Sequence, residues 1–203
     1  MRFFKHPISG LLLLAGAMGA PHGAWADERL AMPKFPVGWV EAFRRDGDQE
    51  MVEYVPPGQT AANWQRKITL EVYHDLKNLP LDALQRRHAS QNRDACRGVV
   101  EGKFQSGINN GYASAFWTLG CKRDMTSGYG ETRYTKAIQG AARLYILSQI
   151  WRTPPYVAVP NIGPQEIEGV MAFLTSSVVC DPETKKNPCP DDAVPAPTPA
   201  PRR

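Results

Sequence analysis

The sequence predicts an α+β fold, an antiparallel β-sheet of about six to seven strands covered by two main helices. Three observations predict it. Segments with apolar residues at every second position recur along the middle of the chain, with turn residues between them. Two other segments carry apolar residues at helical spacing, each with a proline near its first turn. The strands are joined by short connections, which give antiparallel pairing, and amphipathic helices can then cover such a sheet as a layered sandwich.

The first strand begins near Phe35, where Val37, Trp39, Glu41 and Phe43 alternate with Gly38, Val40, Ala42 and Arg44. Asp46, Gly47 and Asp48 accept the backbone angles of a tight turn, and Met51 to Val55 returns as its partner. Pro56, Pro57 and Gly58 end that strand, since proline has no donor for the ladder. Asn63 and Trp64 lie in the following loop. Ile68, Leu70 and Val72 then give the cleanest period-two stretch in the chain. A helix is expected from Pro80, with Asp82 at the positive end of its dipole and Leu81, Leu84, His88 and Ala95 near one face. Strands are expected over Val99 to Gln105, and over Tyr112 to Cys121 after the turn Asn109-Asn110-Gly111. Glu131 to Ile138 and Ala142 to Trp151 make a further pair. The run Leu144 to Ile150 is apolar on both faces except at Ser148, which suits a central strand. A last helix starts at Ile162 to Glu166, with Ile167, Val170, Met171 and Leu174 on one side.

The ends of the chain differ in character from its middle. Met1 to Lys5 carries two positive charges and no acid, and an apolar run centred on Leu11 to Leu14 follows. That run is shorter than the ~20 residues of a membrane helix, and Ala24-Trp25-Ala26 has the small-x-small pattern of a signal-peptidase site. The expected organisation is a signal peptide over residues 1–26 and an irregular lead-in over 27–34. A single α+β domain over 35–180 and a disulfide-looped, proline-rich flexible tail over 181–203 complete it. No later segment is apolar for long enough to span a membrane, so the expected location after cleavage at Ala26 is periplasmic or secreted. Loss of Arg2 and Lys5 lowers the formal charge from +4 to +2, and no block of Lys and Arg offers a nucleic-acid surface.

All four cysteines, Cys96, Cys121, Cys180 and Cys189, fall after the cleavage point, and an even number in an exported chain favours disulfides. Three pairings exist. The favoured one joins Cys96 to Cys121, tying a helix end to a strand, and Cys180 to Cys189, closing a short loop. On the chain-entropy account they contribute about 3.5 and about 2.7 kcal/mol. No C-x-x-C pair occurs, which argues against a zinc site.

Glu53-Tyr54-Val55-Pro56-Pro57-Gly58-Gln59-Thr60-Ala61-Ala62-Asn63-Trp64, followed by the strand Ile68 to Val72, resembles an element of bacterial exported proteins of unknown function. Lys136-Ala137-Ile138-Gln139-Gly140 is similar to a second element of that group. The order of elements resembles the PsbP-like (LpqN-like) α-β-α sandwich. The resemblance implies that fold and a tendency to bind partners, and it implies no catalytic residues. The chain lacks the lipidation cysteine of the lipoprotein members.

Catalytic chemistry has little support in the residues. After the leader only His74 and His88 remain as bases. His74 adjoins Asp75, but sequence neighbours of this kind usually face solvent, and His88 reads as a hydrogen-bonded core histidine. No G-x-S-x-G elbow or Walker sequence is present. Glu53, Glu71 and Glu101 on strands read as solvent-facing, though glycosidase carboxylates come from distant positions. Trp39, Trp117 and Trp151 read as core. Trp64 either plugs the sheet end or lines a groove. The expected function is a non-enzymatic binding or accessory domain acting on a protein or cell-envelope partner, with Asn63, Trp64 and His74 as the candidate binding surface. No catalytic residue, cofactor or metal is assigned. The alternatives are a cell-envelope hydrolase and a tethered component of an envelope or secretion assembly.

Overall fold

The computed structural model describes residues 28–35, 37–74, 76, 78–158, 160–191 and 194–195. The leader, its cleavage point, and the end of the proline-rich tail lie outside the described residues.

Turn chemistry sets the ladder of strands. The elements are β1 Arg29–Met32, β2 Val40–Arg45, β3 Gln49–Val55, β4 Arg66–Tyr73, α1 Leu81–Ala95, β5 Val99–Glu101, β6 Gln105–Asn109, β7 Tyr112–Cys121, β8 Gly130–Gln139, β9 Leu144–Thr153, α2 Pro164–Ser176, β10 Val178–Cys180 and β11 Val194–Pro195. Asn110 and Gly111 both adopt positive φ, +48° and +83°, which a two-residue hairpin between β6 and β7 requires. The main sheet is antiparallel throughout, in the order β2-β3-β4-β9-β8-β7-β5, with β6 also paired to β7. It is seven strands wide and built from eight. The single strand expected over Val99 to Gln105 is broken after Glu101, where the Gly102 N–H donates to the Thr118 carbonyl at 2.9 Å, and β5 and β6 share one edge position along β7. The doubly apolar β9 lies at the centre of the sheet, between β4 and β8.

Strand alternation divides the core between the two faces. Ile68, Leu70 and Val72 of β4, with Tyr145, Leu147 and Trp151 of β9, pack against Val170, Phe173 and Leu174 of α2. Ala115, Trp117 and Leu119 of β7, with Leu144 and Ile146 of β9, pack against Leu84 and Ala89 of α1. The helices therefore lie on opposite faces. The buried stripe of α2 uses Phe173 in place of the expected Met171, which is exposed, and Ala95 is exposed on α1. Both expected disulfides are present. Cys96–Cys121 ties the end of α1 to β7, and Cys180–Cys189 closes the loop after β10.

The ends of the domain correct the sequence reading. Arg29–Met32, expected as irregular lead-in, is a strand paired with β10 on one side and β11 on the other. Leu30 and Met32 are buried under α2, which gives this short apolar stretch a reason to order. The start of the expected tail is also part of the domain. Asp181 and Asn187 are buried, Asn187 donates to the Asn110 carbonyl at 2.6 Å, and Asn110 donates to the Val179 and Pro188 carbonyls.

Glu28 anchors this second sheet. Its carboxylate is fully buried and accepts the backbone N–H groups of Ala141, Ala142 and Arg143 at 2.6 to 2.9 Å, in the turn between β8 and β9. Its carbonyl accepts from the Tyr145 hydroxyl and from Arg143 Nη1. Glu28→Ala removes the acceptor from three part-buried backbone donors and the carboxylate that fills the turn. The expected loss is about 3 kcal/mol or more of unfolding free energy, read as a lower urea midpoint. An unchanged midpoint contradicts the anchoring role.

Candidate functional site

Two clefts flank the central strands, one beside each helix. The larger lies beside α2 and encloses about 560 Å³. Trp151 projects from β9 into its floor and meets the edge of Tyr134, with ring centroids 5.8 Å apart. Trp39 enters from the segment before β2. Pro33 and Lys34 arrive from the end of β1, and Phe35 beyond them packs on Tyr54 and Phe173 at 4.5 and 5.9 Å. The helix side of the cleft is Gly169, Val170 and Phe173. Polar groups occupy the rim: Lys34, Arg66, Gln149, Gln165 and Glu166. Arg66 and Glu166 form a loose exposed ion pair at 3.8 Å. The Glu166 carboxylate also accepts the Gly163 N–H at 3.1 Å and so fixes the start of α2. Trp151 Nε1 is buried with no hydrogen-bond partner among the described residues.

The smaller cleft, about 400 Å³, lies between α1 and the sheet and is polar. Gln49, Glu71 and Tyr73 line one side, while Arg87 and His88 of α1 and Arg133 of β8 line the other. Glu71, expected to face solvent, is only 6 % exposed. Its strand position points under the edge of α1, where the helix and neighbouring side chains cover it. Burial, followed by the nearby Glu71 charge, raises the Tyr73 hydroxyl above the ordinary tyrosine range. Burial, followed by the Arg133 charge, lowers the His88 imidazole to about 4. Among the described residues His88 Nδ1 is buried without a hydrogen-bond partner, so the expected hydrogen-bonded core histidine is corrected.

The candidate surface of Asn63, Trp64 and His74 does not converge. Asn63 and Trp64 precede β4 and His74 follows it, and eight strand residues span roughly 25 Å. Trp64 is 5 % exposed, packs on Val55 and Ile150, and lies between Lys67 and Arg152 at 4.5 and 4.0 Å from its ring. It plugs the end of the sheet. Asn63 closes a turn with Thr60 through two hydrogen bonds. His74 Nε2 contacts Glu50 Oε1 at 2.5 Å. Glu53 pairs with Lys67 and Glu101 with Arg93, so two of the three strand carboxylates singled out in the sequence are engaged in separate ion pairs, while Glu71 lies in the α1 cleft. Among the described residues Cys96, Cys121 and Asp124 form a cluster of metal-type donors, but both sulfurs are consumed by their disulfide.

Gly169 and Phe173 were absent from the sequence reading of the site. A glycine in mid-helix was the available signal, since glycine weakens a helix interior by roughly 0.5–1 kcal/mol against alanine.

No protein-family model and no curated protein matches the chain. Among solved structures the chain is similar to a point mutant of the protein Mog1, at 10 % sequence identity over 71 % of this chain and 79 % of that one, with a TM-score of 0.40.

The depressed imidazole sets a pH dependence. In the unfolded chain His88 takes up a proton near pH 6.5, but in the fold only near pH 4. Its contribution is complete above pH 6.5 and lost as pH falls through 4, up to about 3 kcal/mol. Denaturant titrations between pH 7 and 4 are expected to show this component in the parent chain and not in His88→Leu. Equal acid sensitivity of the two refutes it.

Proposed function

We propose that the chain is an exported, non-enzymatic binding domain whose ligand lies in the cleft beside α2. The ligand is an amphipathic group of a cell-envelope partner, with an apolar body for the Trp39, Trp151 and Phe173 floor and an anionic end for Lys34 and Arg66. The PsbP-like resemblance belongs to this proposal, and helices on both faces of one antiparallel sheet support it. Two disulfides support export, since such bonds persist in oxidising compartments. Among the described residues no helix is long and apolar enough to cross a membrane.

Gly169 carries the assignment of the cleft. A Cβ at that position meets nothing within 4 Å, so packing gives no reason for glycine inside α2. The site lines the cleft, and any larger side chain there narrows it. Preserving the cleft is a functional reason for accepting a weaker helix. A volume of this size with an apolar lining and a few convergent polar groups also matches the usual form of small-ligand sites.

The test uses anilinonaphthalene sulfonate, an aromatic anion, read by its own fluorescence and by tryptophan quenching. Gly169→Ala is expected to stabilise the fold by about 0.5–1 kcal/mol in thermal or urea denaturation. Gly169→Phe is expected to weaken probe binding about tenfold or more while leaving circular dichroism unchanged. A long-chain carboxylate should displace the probe from the parent protein. Undiminished binding to Gly169→Phe overturns the placement of the ligand.

A further inference from the structure

The cleft beside α1 has a charge arrangement that the fold leaves incomplete. Glu71 is 6 % exposed, and among the described residues it has no ion-pair partner. Both of its hydrogen bonds reach the same oxygen: Gln49 Nε2 donates to Oε2 at 3.0 Å and the Tyr73 hydroxyl at 2.9 Å. Gln49 Nε2 also donates to the Tyr73 oxygen at 2.7 Å, so the three groups hold one another in place. Glu71 Oε1 accepts no hydrogen bond from the described residues, and Glu71 lines the cleft. Taking a carboxylate out of water without a counter-charge is costly.

The opposite charge is present in the same cleft. Arg87 and Arg133 line it, and neither has an ion-pair partner among the described residues. Both guanidiniums and Glu71 act on the His88 ring, with opposite sign, and all four residues line the one cleft. The guanidiniums and the carboxylate stay more than 4.0 Å apart and do not neutralise one another. His88 shares the cleft with them and has a buried nitrogen, Nδ1, with no hydrogen-bond partner among the described residues.

We infer that the α1 cleft is a binding site for a small zwitterion of the amino-acid or dipeptide class. Its ammonium meets Glu71 Oε1, and its carboxylate meets Arg133 and Arg87. His88 Nδ1 and Gln49 lie along the ligand between these ends. A molecule carrying both charges supplies buried Glu71 with its missing counter-charge and the half-buried Arg133 and exposed Arg87 with theirs. A simple anion or amine satisfies one pole and leaves the other unpaired. The cleft volume of about 400 Å³ admits a ligand of this size.

Calorimetric titration of the whole exported chain at neutral pH tests this. The probes are alanylalanine, its N-acetyl derivative, its C-terminal amide and inorganic phosphate. The free dipeptide is expected to bind, and each capped derivative about tenfold or more weakly, because each loses a charge-assisted contact. Glu71→Gln should no longer distinguish the acetylated from the free amine. Arg133→Gln should no longer distinguish the amide from the free carboxylate. If either variant fails to fold, Gln91→Trp, at an exposed position on the cleft wall, should block the dipeptide without touching the charged groups. Gly169→Phe should leave dipeptide binding unchanged, which separates this site from the cleft beside α2. Equal binding of capped and free dipeptide, no binding at millimolar concentration, or phosphate binding as tightly as the dipeptide overturns the inference.

Discussion

The α2 side of the molecule depends on one buried carboxylate. Glu28 fills the turn between β8 and β9 and takes the place of a side chain at Gly140, where a Cβ would lie 2.5 Å from its Oε1. Glycine at the turn and glutamate at the start of β1 are therefore one device in two distant pieces. From this anchor β1 runs beneath α2, buries Leu30 and Met32, and delivers Pro33 and Lys34 to the cleft. A second buried charge fixes the other end of the same wall. Lys136 of β8 donates to the carbonyls of Leu174, Thr175 and Ser177 at 2.6 to 3.2 Å, where α2 would otherwise leave acceptors unmet. Burial lowers its ammonium to about 8. A carboxylate on three amides and an ammonium on three carbonyls thus set the distance between α2 and the sheet.

The two clefts differ because a strand exposes alternate residues to opposite sides. In β4, Ile68, Leu70 and Val72 go to the α2 side, while Thr69, Glu71 and Tyr73 go to the α1 side. In β9, Trp151 goes to the first and Ile146 to the second. The register with β8 then brings Arg133 beside Ile150 and Lys136 beside Leu147. One sheet in this way gives an aromatic cleft on one face and a charged one on the other.

Local signals were legible in the sequence where they were strong and self-contained. The turn at Asp46-Gly47-Asp48, the hairpin at Asn110-Gly111, the central apolar strand and both helices follow from neighbouring residues alone. The disulfide pairing also followed from where each cysteine fell among these elements. What sequence could not show was set by contacts across the chain. β1 is only four residues long and exists because β10 and β11 flank it. Glu71 is buried by a helix whose placement no local pattern reveals. Asn63, Trp64 and His74 looked like one surface because they are near in sequence, but β4 carries them to opposite ends of the sheet. Gly169 was visible, yet its meaning required knowing that open space lies beside it.

Glu28 meets its three donors 113 to 115 residues later in the chain, and Arg29 pairs with Cys180 later still. Contacts of that span form slowly, since the loop they close is long and its entropy must be overcome first. Nothing can receive Glu28 until the turn between β8 and β9 exists, and nothing can flank β1 until β10 has followed α2. The first of the described strands is therefore held by contacts that each span more than a hundred residues. Its docking brings Pro33 and Lys34 into the α2 cleft and so completes it.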